Sequence, residues 1–467
     1  MAQQPHILIL MPDQQRADTL GCAGHPQVRT PHIDRLAGEG MRFEQCVTVS
    51  PVCMSARASF VSGLYSHSHG MWGNTEACLP AGDETYFHHL QRAGYRTAYV
   101  GKSHFYPHRA GHMREHEDYM HARGIDIVHE TTGPLATQRT RSFVTDIWEK
   151  HGLYEAYRKD YAERGRRRRE DPFLVRPSPL DEDLFLDSLV GRQACEVVEQ
   201  LEDDRPSCLF VGFPGPHEPW DAPGRYADMY DPQDTPPAIP WPEANRDLPQ
   251  DVRDMRDLQR HPAADADRIR NIRANYYGKI SLLDDWIGRI LAAYDKRGRL
   301  DNLLVVYWSD HGEMLGDHGR VYKETFHESS VRVPLILRWP GVVPGGTTSD
   351  ALAEIVDVFP TLLEAAGCEA SGRCIGRSLL PVARGDETAL RPAQLSELGG
   401  RAAQRFMVRT RQHKYAMRND GRGFMLYDLQ ADPHEQSNLI GQPDATALET
   451  TMREHVLDRL VATQASL

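Results

Sequence analysis

Four short apolar runs, each followed at once by polar residues, restrict most strongly how this 467-residue chain can fold. The runs cover residues 6–11, 96–100, 208–213 and 303–308. Continuous apolar runs of this length are typical of strands that helices cover on both faces. The segments between them show helical periodicity, at 33–40, 86–93 and 280–294. We therefore predict an α/β fold with one large, mostly parallel sheet flanked by helices.

The last part of the chain has a different pattern. We predict a large domain over residues 1–385, which carries a polar insertion at 105–185, and a smaller subdomain over 386–467. In this subdomain, short apolar segments at 406–409, 413–417 and 424–427 predict an antiparallel sheet, and a helix is expected to follow it. A strong turn signal at 419–423 separates two of these strands.

Polar side chains follow the four predicted strands where each strand ends. In open parallel sheets, ligands bind beyond the carboxyl ends of the strands. Each of these residues alone could be a helix cap or part of a turn, but seven of them after four strands indicate a functional site. They are Asp13, Gln14, Lys102, His104, His217, Asp310 and His311.

The residue types in this group suit metal-assisted chemistry. Asp13, Gln14, Asp310 and His311 offer three oxygen donors and one imidazole, a set that suits a divalent cation. Oxygen-rich ligation favours Ca²⁺ or Mg²⁺, while an imidazole shifts the preference toward Mn²⁺.

The remaining polar residues suit an anionic substrate. The side chains of Arg57, Lys102 and Lys323 could bind the oxygens of a tetrahedral anion. His104 and His217 are natural proton carriers near neutral pH. A metal and several cations around a transferring group are expected for sulfuryl or phosphoryl transfer.

Cys53 and Arg57 lie four residues apart, where a helix is predicted to begin. At this spacing both side chains lie on one face of the first turn, whose free N–H groups and dipole favour negative charge. Alone, the pair could be a small buried cysteine and an ion-paired arginine. Together with the motifs that follow, it indicates a nucleophile suited to an anionic ester.

Taken together, these motifs resemble the type I sulfatases of the alkaline-phosphatase superfamily over nearly the whole chain. The matching stretches are the opening strand with Asp13, residues 21–24, 30–36 and 53–63, Gly-Lys-Ser-His at 101–104, residues 309–316 with Lys323, and the C-terminal segments 426–429 and 432–439.

The resemblance implies that Cys53 is oxidised by a maturation enzyme to Cα-formylglycine, whose hydrated form is also a metal ligand. Ca²⁺ is the expected ion, with Mn²⁺ or Mg²⁺ as alternatives. His217 and Lys323 would act on the leaving alcohol of a small-molecule sulfate ester. His104 would take a proton as sulfate is expelled, while Arg57 and Lys102 would hold the diol and the sulfate.

Two departures from the family pattern leave alternatives open. Ser55 stands where the motif usually has Pro or Ala, so a non-catalytic anion-binding relative without the modification is one alternative. Asp13-Gln14 replaces paired acids and resembles the choline-sulfatase and phosphonate monoester hydrolase branches. A phosphonate monoester or phosphodiester hydrolase is therefore a second alternative, although Lys102 and His104 favour sulfate esters. Aryl, alkyl, choline-like and sugar sulfates all stay open as substrates.

Charge and composition restrict partners and location. A formal net charge of -12 argues against general nucleic-acid binding. We interpret the basic run at 164–169 as a solvated helix surface. No apolar window reaches the length of a membrane span, and no secretory signal is visible. The eight cysteines are scattered and are expected to be reduced. We predict a cytoplasmic protein, and a homo-oligomer is expected from the resemblance.

Two further segments and one residue have hypothesised roles that rest on their place in the chain. The insertion at 105–185 is hypothesised to shape the substrate pocket or an oligomer contact, and residues 223–249 to form a lid or arm. Asn74 is either a polar residue on the substrate side or part of a plain turn.

Overall fold

An eight-stranded sheet is the centre of the computed structural model, which describes residues 4–74, 77–80, 82–369, 372–400 and 403–464. Its strands are ordered β11-β2-β10-β9-β1-β8-β4-β6, with the bounds given below. The pairs within β9-β1-β8-β4-β6 are parallel, and β10 is antiparallel to both of its neighbours. The predicted α/β class with a large, mostly parallel sheet is confirmed.

The strands are β1 (His6–Asp13), β2 (Met41–Phe43), β3 (Cys46–Val47), β4 (Arg96–Lys102), β5 (Gly111–His112), β6 (Ile127–Thr131), β7 (Thr140–Arg141), β8 (Ser207–Pro216), β9 (Leu303–Trp308), β10 (Leu335–Arg338), β11 (Thr347–Ser349), β12 (Ala353–Glu354), β13 (Gln394–Leu398), β14 (Arg405–Arg409), β15 (His413–Arg418) and β16 (Gly423–Asp428). The α-helices are α1 (Pro31–Gly38), α2 (Cys53–Ser62), α3 (Ser66–His69), α4 (Tyr86–Arg92), α5 (Glu117–His121), α6 (Phe143–Lys150), α7 (Tyr154–Glu170), α8 (Leu186–Gln200), α9 (Gln250–Arg253), α10 (Ala266–Lys296), α11 (Glu328–Val331), α12 (Val358–Ala365), α13 (Leu380–Arg384) and α14 (Thr446–Ala462).

The four predicted strands are β1, β4, β8 and β9, and they lie side by side in the sheet. Both faces of β1 are buried: Ile7 and Ile9 pack into one apolar cluster, and Leu8 and Leu10 pack into another. Helices on both sides explain why these runs are continuously apolar rather than alternating. As a result, the carboxyl ends of all four strands meet at one edge of the sheet.

Two glycines bring β4 and β8 unusually close near this edge. Gly101 has a φ of +104°, and a Cβ there would lie 2.1 Å from the carbonyl oxygen of Gly212. The two residues are register partners in the parallel pair. Only glycine meets both the backbone angle and the spacing, so Lys102 is held directly above this contact.

Helix α10 is twice as long as its apolar periodicity predicts. The prediction covered 280–294, whereas the helix has 31 residues. Its first half carries charged side chains that are nevertheless buried, because they are paired. Arg273 contacts Asp317 at 2.6 Å, and Lys279 contacts Asp221 at 2.9 Å.

The C-terminal part forms a four-stranded antiparallel sheet in the order β13-β14-β15-β16, followed by α14. Three of these strands and the turn between β15 and β16 were predicted. Strand β13 was not, because its Gln-Leu-Ser-Glu-Leu sequence looks polar although every residue in it is buried. The boundary at 385/386 stays a prediction; α13 ends there, at Gly385.

A buried lysine joins the small sheet to the large one. Lys414 on β15 lies 2.7 Å from carboxylate oxygens of both Glu328 and Glu435, and it donates to the carbonyl of Phe326. Burial opposes charge on Glu435, but Lys414 outweighs burial and holds its pKa below the ordinary value of 4.5. The carboxyls of Glu328 and Glu435 are therefore ionised, and the charge of Lys414 stabilises them.

Replacing Lys414 by methionine should lower the free energy of unfolding by about 3 kcal/mol at pH 7, because buried carboxylates lose their partner. A carboxyl whose pKa folding lowers stabilises the protein above its unfolded pKa, and this contribution is lost as pH falls through the folded pKa. The difference from wild type should therefore shrink as the pH falls below 4.5. Denaturant unfolding at a series of pH values measures this.

The matched control is Arg411→Met. Arg411 lies on the same subdomain as Lys414, and the change removes its exposed ion pair with Asp350. It should change stability by less than about 0.5 kcal/mol at any pH. A Lys414→Met effect as small as this, or one independent of pH, would contradict the assigned role.

None of the helices in the described ranges is both long enough and apolar enough to cross a membrane.

Candidate active site

Cys53 is the first residue of helix α2, as predicted, and all ten residues of the helix are buried. The preceding residue, Val52, is extended and has no side chain that could cap the helix. Asn74 supplies the missing cap, because its Oδ1 accepts a hydrogen bond from the N–H of Met54 at 3.1 Å. Asn74 therefore positions the start of the helix as well as lining the cavity described below.

Four predicted residues form a buried cluster with the chemistry of a cation site. The ligand atoms of Asp13, Cys53, Asp310 and His311 all lie within 4.8 Å of one another. His311 Nε2 is 3.1 Å from Cys53 Sγ and 3.9 Å from an oxygen of each carboxylate. Its Nδ1 donates to the Gly312 carbonyl at 3.0 Å, which turns Nε2 toward the carboxylates. This donor set fits a divalent cation.

The charges around Cys53 favour an anion at this position. Burial alone would raise the pKa of the thiol, but Lys102 and Lys323 outweigh it and hold that pKa well below the ordinary value. Burial would lower the pKa of His311, but Asp310 and Cys53 together outweigh burial and raise it to about 9. The site is therefore built to hold negative charge at position 53 and positive charge between its carboxylates.

Arg57 is fully buried, and its donors are used within the protein. Its Nε contacts Asp310 at 2.8 Å, its Nη2 contacts Asp13 at 2.9 Å, and its Nη1 donates to the Lys102 carbonyl. From the sequence we expected this guanidinium to contact an anion directly. In the structure it instead bridges Asp13, the last residue of β1, and Asp310, which follows β9.

Two lysines approach the cluster, Lys102 from the end of β4 and Lys323 from the loop between β9 and α11. Lys102 Nζ lies 2.5 Å from Asp13 Oδ2, and its side chain also lines the cavity. Lys323 Nζ donates to Gln14 Oε1 and lies 2.8 Å from His217 Nε2. Because His217 Nδ1 donates to the carbonyl of the next residue at 2.6 Å, its Nε2 is the nitrogen that faces the lysine.

His104 lies next to Cys53 in a left-handed backbone conformation, with a φ of 57°. Its ring stacks on His108 with the centroids 4.5 Å apart, and its buried Nδ1 has no hydrogen-bond partner among the described residues. Burial lowers the pKa of His104 to about 4, although contact with Cys53 opposes this. The imidazole is therefore neutral and is in contact with Cys53.

Two buried glutamates accept hydrogen bonds from the side chain of Gln14. Neither was predicted to have a role. Gln14 Nε2 donates to Glu218 at 2.8 Å and also to Glu313. Burial raises the pKa of Glu313 to about 7. Burial would also raise the pKa of Glu218, but Arg168 outweighs it and lowers that pKa to about 2. Each glutamate lies within two residues of a predicted site histidine, and this was the available signal.

These residues open onto one cavity with a volume of about 1660 Å³. Lys102, His104 and His217 line it together with stretches at 107–110, 133–139, 162–172, 256–262 and 320–322. The insertion at 105–185 thus forms much of its wall. None of the described residues at 223–249 lines the cavity, and a lid or arm formed by this segment stays a prediction. That segment packs on α10, where Arg273 donates to the Pro236 carbonyl.

The basic run at 164–169 is helical and mostly solvated, as predicted: Arg166, Arg167 and Arg169 are exposed, and only Arg164 is buried. What was not predicted is that Arg166, Arg168 and Arg169 also line the cavity. Arg168 turns this end of α7 inward, because it pairs with the buried Glu218 at 2.5 Å. The sequence could not indicate this partner, which is 50 positions away along the chain.

The arrangement can bind and activate an anionic ester. A cation site, two lysines and two histidines surround a nucleophile position at a helix N-terminus, and Lys102, His104 and His217 line one cavity. Such groups stabilise charge that develops on a transferring tetrahedral group, and the histidines can move protons.

Two family models match this chain. The model described as Sulfatase matches residues 5–368, and the C-terminal model of N-sulphoglucosamine sulphohydrolase matches residues 316–462. The arylsulfatase of Clostridium perfringens is 29% identical over 455 residues, which cover 94% of this chain and 91% of that protein. The choline-sulfatase of Rhizobium meliloti is 31% identical over 471 residues, which cover 96% and 85%.

The fold has solved relatives as well. The crystal structure of the phosphonate monoester hydrolase of Agrobacterium radiobacter superposes with a TM-score of 0.80 at 23% identity, and covers 98% of this chain and 96% of its own.

Proposed function

This chain belongs to the sulfatase family and is a sulfuric ester hydrolase, and from that premise we propose that it works through a formylglycine made from Cys53. The observation that supports this most directly is the position of Cys53, within 4.8 Å of two carboxylates and an imidazole at a helix N-terminus. A hydrated formylglycine at this position would offer two hydroxyl groups, one to accept the sulfuryl group and one to assist its release.

We propose Ca²⁺ as the bound ion, with Mn²⁺ or Mg²⁺ as alternatives. Asp13, Gln14, Asp310 and His311 would hold it together with the modified residue 53, since oxygen donors dominate this set. When bound, the ion supplies positive charge that stabilises the sulfate oxygens and lowers the pKa of a coordinated hydroxyl.

The remaining residues divide into three roles. Lys102, which faces the cavity, would hold the sulfate oxygens, and Arg57 would position the carboxylates that it bridges. His217 and Lys323, 2.8 Å apart, would protonate the leaving alcohol oxygen. His104 would take the proton from residue 53 that accompanies release of sulfate, because its imidazole is neutral and in contact with Cys53.

Replacing Asp13 by alanine should weaken Ca²⁺ binding about 100-fold or more, because one carboxylate ligand is lost and Arg57 loses a partner. Isothermal titration of the metal-free protein measures this. Asp350→Ala, which removes an exposed carboxylate far along the chain, is the control and should bind Ca²⁺ as wild type does. A variant at position 13 with wild-type affinity and stoichiometry would refute this ligand assignment.

Peptide mass spectrometry across Cys53 tests the proposed nucleophile, on protein made in a host with formylglycine-generating activity. We expect a lighter peptide that carries an aldehyde. If the cysteine is unmodified, Ser55→Pro is the comparison, since position 55 lies in the first turn of α2, where proline is tolerated. Regained aldehyde and activity would indicate a maturation mismatch, and aldehyde without activity would refute the proposal.

A phosphonate or phosphodiester substrate is the second candidate, favoured by Asp13-Gln14 and by the similarity to the phosphonate monoester hydrolase structure. Values of kcat/KM for an aryl sulfate and an aryl phosphonate separate the two. We expect the sulfate to be preferred and the preference to fall in Lys102→Ala, because this lysine faces the cavity.

We also propose a cytoplasmic location, a transient maturation partner and a homo-oligomer. All eight cysteines are free thiols, which is typical of a reducing compartment. On α14, the apolar side chains of Leu457 and Val461 are exposed four residues apart on one face, which favours a contact between copies. Light scattering of the wild type and of Val461→Glu tests this contact.

A further inference from the structure

The wall of the active-site cavity is strongly basic, although the chain as a whole is acidic. Eight arginines line the cavity, and Glu170 is the one carboxylate among the described lining residues. The formal net charge of the chain is -12, so this concentration of positive charge is local. Charges of one sign on the walls of a cleft concentrate their field inside it.

Most of these arginines are not neutralised by the protein. Within the described part of the chain, no ion pair is formed by five of them: Arg109, Arg139, Arg166, Arg169 and Arg260. Elsewhere on the described surface, some exposed arginines have a carboxylate partner within 2.8 Å, as Arg246 and Arg411 do, and others such as Arg29 and Arg289 have none. The cavity differs because five unpaired arginines line the same cleft. Cations left without partners in a cleft are available to bind an anion.

The other three arginines are fixed by contacts that keep them at the wall. Arg168 pairs with Glu218 and lies over the Tyr322 ring, 4.4 Å from its centroid. Arg256 pairs with Glu324 at 2.9 Å, and Arg320 donates to backbone carbonyls. They give the wall a defined shape.

Helix α7 presents its arginines selectively. Arg166 and Arg169 are three residues apart, so they lie on one face of the helix, and both line the cavity. Arg167, between them, does not line it and lies 3.9 Å from Glu163 instead. The same short run therefore contains two cavity arginines and one that can serve as their control.

The cavity is also larger than a single sulfate ester of a small alcohol requires. Its volume of about 1660 Å³ exceeds the range of about 300–1000 Å³ that is usual for small-molecule sites. One sulfate group already has Lys102 and the cation site as partners. The unpaired arginines therefore need further negative charge, on a part of the substrate away from the reacting group.

We propose that the substrate is a sulfate ester that carries at least one more anionic group, a second sulfate or a carboxylate, bound by the arginines of α7 and of the 107–139 wall. This inference rests on the proposed sulfatase function and names its substrate class. It also argues against choline sulfate, because the quaternary ammonium group would enter a cavity of like charge.

The first test compares substrates on the matured wild-type enzyme. Values of kcat/KM are measured for 4-nitrophenyl sulfate, glucosamine 6-sulfate, glucosamine N,6-disulfate and a disaccharide of glucosamine 6-sulfate with a uronic acid. We expect kcat/KM about tenfold higher for a dianionic saccharide than for the monosulfate, and an advantage that shrinks as NaCl is raised. Preference for the disulfate alone assigns a second sulfate, and preference for the disaccharide alone assigns a carboxylate.

The outcomes separate this inference from the function on which it rests. If 4-nitrophenyl sulfate is hydrolysed but neither dianionic saccharide is preferred, the inference is overturned and the sulfatase proposal stands. If no sulfate ester is hydrolysed by protein with an aldehyde at position 53, the proposed function fails, and the inference fails with it.

The second test uses the arginines of α7. In Arg166→Gln/Arg169→Gln, the ratio of kcat/KM for the preferred dianion to that for the monosulfate should fall about fivefold. In Arg167→Gln it should stay within about twofold of wild type. Thermal unfolding verifies that all three proteins are folded. Equal ratios in the double variant and the control would overturn the assignment to this helix.

Discussion

Replacing Cys53 by alanine is expected to lower kcat for sulfate esters by about 10⁴-fold or more, because the group that accepts the sulfuryl group is removed. Cations and carboxylates around position 53 would remain, so substrate should still bind. Single-turnover assays with an aryl sulfate, on protein verified by thermal unfolding, measure this loss. Cys195→Ala removes a partly buried thiol of α8 outside the site and should retain wild-type activity.

Cys53→Ser gives a sharper version of the same test. A serine hydroxyl can attack the sulfur and release the alcohol, but it has no second hydroxyl to expel sulfate. We expect one slow turnover that leaves the enzyme heavier by one SO₃ group. Multiple turnovers by the alanine variant would refute position 53 as the nucleophile.

Arg57→Ala is expected to destabilise the metal-free protein by about 5 kcal/mol, more than any other single change considered above. Arg57 is completely buried and bridges Asp13 and Asp310, so its loss leaves two buried carboxylates without their cation. Denaturant unfolding measures the effect. Arg57→Lys should recover only part of it, because one ammonium group cannot reproduce the fork of the guanidinium.

A divalent cation should reduce this destabilisation. Ca²⁺ would bind the same two carboxylates, so the gap between Arg57→Ala and wild type should narrow at saturating Ca²⁺. Arg246→Ala, which removes an exposed pair with Glu243, is the control and should change stability by less than about 0.5 kcal/mol. The bridging role would be contradicted if Arg57→Ala lost as little stability as this control. It would also be contradicted if Ca²⁺ did not change the loss of stability.

The strands and the assembly of the site were predictable because both follow from local patterns. Continuous apolar runs identify β1, β4, β8 and β9, and parallel pairing then requires their carboxyl ends to meet. Once that is known, Asp13, Lys102, His217 and Asp310 have to be neighbours, whatever their distances along the chain.

Features that depend on partners far along the chain were not predictable. The first half of α10 and the strand β13 are polar in sequence but buried, because ion pairs and hydrogen bonds replace water around them. The basic run in α7 gives a clear helix signal, but its orientation depends on Glu218, which belongs to a different strand end. Asn74 caps α2 from a loop, and no local signal joins the two.

The burial of α2 determines when the protein can become active. Cys53 exposes 1% of its surface, and every residue of its helix is buried. An enzyme that makes the proposed formylglycine would need the thiol in its own active site, so it would have to act on the nascent or unfolded chain, before the sheet and helices close over this segment. Chains that fold first would keep the cysteine. Under this proposal, the active fraction of a preparation depends on the relative rates of oxidation and folding during synthesis, and slower folding should raise it.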